Sequence, residues 1–127
     1  MRHEIKIEDI DALRDQLLDA IDAVANVRRP ARFDAHVDKE AEALALMADP
    51  NLSAAETPNL SREAARKGAD RFDIAVVVLT NAHRDRMVAA EIEDVRLAAK
   101  ASIRAATTVR ELRAAFKSAC DSLAAFG

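Results

Sequence analysis

A few residues in this chain are of types that do chemistry. His36 and Glu40 stand four positions apart, so a helix would carry an imidazole and a carboxylate on one face. His83 and Asp85 form a second histidine context, and Cys120 is the only thiol. None of these completes a site. Carboxylate-bridged di-metal bundles need Glu-x-x-His pairs with two further inward-facing glutamates, and no Glu-x-x-His occurs. A Cys–His couple needs a third group to orient the imidazole. Cys120 instead lies beside the apolar stripe of its segment, in the pattern of an ordinary small core residue. The only glycines are Gly68 and Gly127, so no glycine-rich phosphate loop can form. The expectation is therefore no catalytic, metal-binding or cofactor-binding residue and no cofactor.

Three helical families share short stretches with this chain without matching it further. All-α nucleotide pyrophosphohydrolases hold magnesium with a Glu-x-x-Asp pair and an upstream Glu-x-x-Glu. Glu91 and Asp94 have the first spacing, and the upstream pair is missing at a suitable distance. Histidine phosphotransfer domains carry His-x-x-Lys-Gly, whereas His36-Val-Asp-Lys39 is followed by Glu40. Helical chorismate mutases open on a stretch similar to Ala12–Asp22, but here Pro30 ends the helix just after Arg28-Arg29. These stretches are short and common in amphipathic helices, and the chain is assigned to no family.

What remains with direction is charge. Asp11, Asp15, Asp19 and Asp22 line one side of the first predicted helix, while Arg96, Lys100 and Arg104 recur at every fourth position further on. Arg62, Arg66, Lys67 and Arg71 form another basic group. Like charges at i, i+4 cost an isolated helix about 0.2–0.5 kcal/mol per pair, a cost that an oppositely charged partner offsets. Residues 1–60 hold 7 basic and 13 acidic residues, and 61–127 hold 12 and 9, so an acidic half precedes a basic one. The whole chain carries −3, against the basic balance of a general duplex binder. With four Phe and no Tyr or Trp it also lacks the stacking residues of single-strand platforms.

These side chains must be positioned by helices. Among 127 residues, half are apolar, 32% are charged, and three are proline. That is the composition of long, salt-bridged helices. Ile10, Leu13, Leu17, Ile21 and Val24 recur at helical spacing from about Ile7 to Val27, with acids in the first turn and Arg28-Arg29 at the end. Residues 1–6 read as a possible extended arm. A second helix, about Ala31 to Ala48, would bury Phe33, Val37, Ala41, Leu44 and Met47. Residues 49–60 read as a loop with one short turn after Ser53-x-x-Glu56, and Leu52 and Leu60 are its candidate docking anchors.

A third helix is predicted from Ser61 to about Thr80 with the stripe Phe72, Val76 and Leu79; Ile74–Leu79 alone would also suit a buried strand. A fourth carries Val88, Ile92, Val95, Ala99, Ile103 and Ala106. The polar run Thr80–Arg86 leaves open a turn or one helix over about 61–106, roughly 69 Å long at 1.5 Å per residue. The last helix follows Thr108-x-x-Glu111 and carries Val109, Leu112, Phe116, Ala119, Leu123 and Phe126, unless it continues through Thr107-Thr108. The sum is one all-α domain over 1–127, an up-and-down four- or five-helix bundle that self-associates.

With no apolar run near the roughly 18 residues of a membrane span, no membrane is expected. With no apolar segment behind the charged N-terminus and a single cysteine, the expected location is a reducing cytoplasm. The Ala-, Arg-, Asp- and Val-rich usage fits a GC-rich bacterial genome. The function these features favour is non-enzymatic protein–protein association, as a homodimer or with another protein. Two alternatives stand beside it. One is a small enzyme or binder for an anionic substrate using Arg14, Arg28 and Arg29. The other is nucleic-acid binding through the basic half, against which the net charge counts.

Overall fold

The computed structural model describes residues 7–32 and 34–126, so the extended arm expected at 1–6 and the place of Phe33 lie outside it. Among the described residues there are five α-helices and no strand: α1 (Ile7–Arg28), α2 (Asp34–Ala48), α3 (Pro58–Lys67), α4 (Arg71–Ala105) and α5 (Val109–Ala124). A 3₁₀ turn, Ala54–Glu56, sits in the loop before α3. The described residues form an all-helical fold, as the periodicity predicts, and Ile74–Leu79 is helix. The helices divide into two compact units. Residues 1–29 and 88–127 form one, with α1, the later turns of α4, and α5; residues 30–87 form the other, with α2, α3 and the earlier turns of α4.

In the first unit the expected stripes are the ones that pack. Ile21, Ala99, Ile103, Ala106, Leu112 and Ala119 are buried together, with Leu13, Leu17 and Phe116 against them. Ala25, Ile92 and Leu123 continue this core, joined by Val24, Val95 and Phe126. α5 starts where its capping pair stands. The Thr108 hydroxyl accepts from the Glu111 amide at 3.1 Å, and the Glu111 carboxylate accepts from the Thr107 amide at 2.8 Å. The two contacts satisfy amides that no helical turn can reach, so α4 and α5 are separate helices.

The second unit departs from expectation in three places. The first is the helix predicted from Ser61, which begins at Pro58, a residue suited to a first turn because it has no amide to satisfy. Its cap comes from another helix: the Glu42 carboxylate on α2 accepts from the Asn59 amide at 2.8 Å, the Asn59 side chain at 2.6 Å and the Leu60 amide at 3.3 Å.

The second is the unbroken helix over 61–106, which does not form, because Gly68 closes α3 in the left-handed conformation at φ 61°. The Asp70 carboxylate then accepts from the Phe72 amide at 2.7 Å and starts α4. From there the helix runs straight through Thr80–Arg86 for 35 residues, about 52 Å.

The third is the buried face of α2, which is Glu40, Ala43 and Leu46, while Val37, Ala41, Leu44 and Met47 are exposed. On α4 the core takes Ile74 and Ala75, with Phe72, Val78 and Leu79 partly buried beside them, and Val76 faces water. Only one of the two apolar sides on each helix can reach the small core formed with Leu60 and Ala64.

A methyl group at position 68 would touch nothing within 4 Å, so the cost of Gly68→Ala is backbone strain alone. The substitution should destabilise the second unit by about 1 kcal/mol. Thermal unfolding followed by circular dichroism should show a melting temperature lower by about 4 °C.

Candidate functional site

The acidic row of α1 and the basic row of α4 partly meet each other. Asp22 accepts from Arg96 at 2.8 Å and from Lys100 at 2.9 Å. Arg96 also grips Glu93 at 2.6 Å, and Glu93 takes Arg29 at 2.9 Å. The hydrogen bond from Lys100, then that from Arg96, lowers the Asp22 carboxyl below its ordinary pKa. Arg96 does the same for Glu93 and is itself held more firmly protonated by Glu93 and Asp22. Asp11 is paired with Arg14 at 2.5 Å. Asp15, Asp19 and Arg104 stay exposed, and no ion pair holds them among the described residues.

The arginines expected to receive an anionic ligand have structural partners. Arg14 donates to the Ala106 carbonyl at 2.8 Å, and Arg28 to the Phe126 carbonyl at 3.3 Å. With Arg29 on Glu93, the three hold the first unit together instead of lining a pocket.

In the second unit, Arg71 is half-buried and donates to the Leu52 carbonyl and, at 3.0 Å, to the Thr57 hydroxyl. It ties the loop to α4, so it is not part of an open basic surface. Arg62 and Arg66 are exposed on α3. Neither proposed loop anchor is free: Leu60 is fully buried, and Leu52 packs on the same core. A hydrophobic residue beside a proline and an asparagine reads as a loop residue until the helix start is known to lie at position 58.

Four positions on from His36, Glu40 is bonded to arginines. The Glu40 carboxylate, almost wholly buried, lies between Arg86 and Arg32, the latter at 2.5 Å. The hydrogen bond from Arg86 is the main cause of its lowered pKa, against the opposing effect of burial. Glu63 is held low in the same way, first by Lys67 at 2.9 Å and also by Lys39 at 3.4 Å. Cys120 is half-buried, and desolvation pushes its thiol up, away from the reactive thiolate. Among the described residues no three His, Cys, Asp or Glu side chains are grouped to hold a metal ion, and no helix is long and apolar enough to cross a membrane.

What sequence reasoning missed is an open surface. Val37, Leu44 and Met47 on α2 and Val76, Val77 and Met87 on α4 are between 41% and 56% exposed. A groove of about 600 Å³ opens beside Val77, with Ile74, Val78 and Ala82 along its floor. Its walls carry Arg32, His36, Lys39, Lys67 and Arg84 together with Glu63, Asp73 and Asp85. The wall charges are of both signs, and several are already paired, so the groove lacks the uniform field that draws in a small anion. The apolar stripe of α2 is plain in the sequence. It reads as core because periodicity cannot say which of two apolar sides is covered. No family model, curated protein or solved structure matches the chain.

The lowered carboxyls set the response to acid. Asp22, Glu40, Glu63 and Glu93 all have folded pKa values below their ordinary ones. Their contribution is complete above the ordinary carboxylate range near 4 and is lost as pH falls through the lowered values. Urea midpoints should be flat from about pH 8 to 5 and drop below about pH 4. The doubly neutralised variant Asp22→Asn/Glu40→Gln should start less stable and show a shallower acid drop.

Proposed function

We propose that the protein works by protein–protein association, with the unit formed by residues 30–87 as the docking part. One observation carries this. Of the eight large apolar side chains exposed among the described residues, six belong to that unit. Scattered single exposures are ordinary on a surface, but a concentration of this kind on a 58-residue unit marks a contact region. Covering the open half of such a side chain yields about 1 kcal/mol. Several together meet a large part of the cost of joining two molecules.

The charge pattern supports association over catalysis. The arginines with the best geometry are used within the chain. The exposed acids Asp15 and Asp19 and the exposed bases Arg62, Arg66 and Arg104 are left to steer a partner and add little affinity of their own. A cytoplasmic, assembly, adaptor or regulatory setting fits such a module.

The test is the mass in solution against the 13.8 kDa of one chain, together with capture of partners from the native host. The Leu44→Glu/Val76→Glu variant should lose association at least tenfold, the equivalent of about 1.4 kcal/mol, with its helical circular dichroism unchanged. A wild-type chain that is monomeric up to about 1 mM and captures nothing would end this reading.

A further inference from the structure

We infer that the occupant of this surface is a second copy of the chain, with α2 of each copy lying antiparallel along the outer stripe of α4 of the other. The inference rests on the association reading above and adds the partner and the register. Each helix presents an exposed stripe with the 4-3-4 spacing of a coiled-coil seam: Val37, Ala41, Leu44 and Ala48 on α2, and Val76, Thr80, His83 and Met87 on α4. Laid antiparallel, the seam sets Ala41 beside His83, Leu44 beside Thr80 and Ala48 beside Val76. Each α2 alanine then faces a larger side chain, and the one leucine faces a smaller one.

Charge selects the direction. Asp38 lies on one edge of the α2 stripe and Arg84 on the matching edge of the α4 stripe, and both are exposed. Neither has an ion pair among the described residues, and Arg84 donates only to the Asn81 side chain, at 3.1 Å. In antiparallel helices like edges meet, which brings Asp38 to Arg84 and Met47 to Leu79. A parallel pairing would instead set Asp38 beside Leu79, a carboxylate against an apolar side chain. The antiparallel arrangement also opposes the two helix dipoles favourably.

A second copy, unlike an unrelated helix, uses both stripes at once. A two-fold axis repeats every contact, so each molecule offers its α2 stripe and its α4 stripe. A single helix face falls well short of the roughly 800 Å² per partner of a stable interface, and two such faces approach it.

Sedimentation equilibrium of the full chain tests the register. Asp38→Arg and Arg84→Asp should each raise the dimer Kd about tenfold, because each reversal acts twice across the axis. The double reversal should return it to within about threefold of wild type. As an independent measurement, Ala41→Cys combined with His83→Cys in a Cys120→Ser background should form an intermolecular disulfide on mild oxidation, and either cysteine alone should not.

A dimer indifferent to both reversals, or one with no recovery in the double variant and no cross-link, overturns the seam. A monomer that loses a captured host protein on Leu44→Glu substitution also overturns it but leaves the association reading standing. Absence of any association removes both.

Discussion

α4 supplies a buried edge to each unit. The buried positions take alternating steps of three and four, Ala75, Val78, Ala82 and Asp85 in the earlier turns and Ala89, Ile92, Arg96, Ala99 and Ile103 in the later ones, each of them buried or half-buried. A helix that keeps this spacing has no reason to stop. No glycine or proline lies within it, and the Thr80 hydroxyl returns to the Val76 carbonyl at 2.7 Å without breaking the ladder. Four alanines in this edge let the neighbouring helices approach closely. They also keep its hydrophobic contribution small, so each unit leans on its few fully buried large side chains: Leu46 and Leu60 in one, and Ile21, Ile92, Ile103, Leu112 and Leu123 in the other.

Ion pairs take over some of the work that large side chains do elsewhere. Asp22 with Arg96 and Lys100, Glu40 with Arg86, and Glu63 with Lys39 join residues on separate helices, while Arg32 and Lys67 add local pairs to Glu40 and Glu63. Exposed pairs contribute little individually. The Glu40 carboxylate is the most covered of the three, with Arg32 and Arg86 both upon it. These pairs also explain why the charge rows look like binding surfaces in the sequence: part of each row is complementary to the other row of the same molecule.

The parts of the fold legible in the sequence are those where one stripe of large side chains is also the buried one. α1, α5 and the later turns of α4 meet that condition, and their boundaries follow from Pro30 and from the Thr108–Glu111 cap. The second unit does not. α2 has two apolar sides, Ala43 with Leu46 and Val37 with Leu44, and the smaller side is covered. The start of α3 depends on Glu42, seventeen positions away from Asn59, which no local capping pattern can show. Three signals there are local: Pro58 suits a helix start, a lone Gly68 after Arg66-Lys67 is a helix stop, and Asp70 is a capping residue. For the surface itself, composition showed the charges, but only packing showed which apolar residues were left over.

The first unit is assembled from the two ends of the chain, with the whole of the second unit lying between them in sequence. During synthesis on a ribosome, residues 30–87 are all made before Leu112, Ala119 and Leu123 exist to cover Ile21 and Ala25. α1 must therefore wait as an uncovered amphipathic segment while some eighty further residues are added, about 4 to 17 seconds at ordinary elongation rates of about 5–20 residues per second. A nascent chain stalled before α5 shows that face to chaperones.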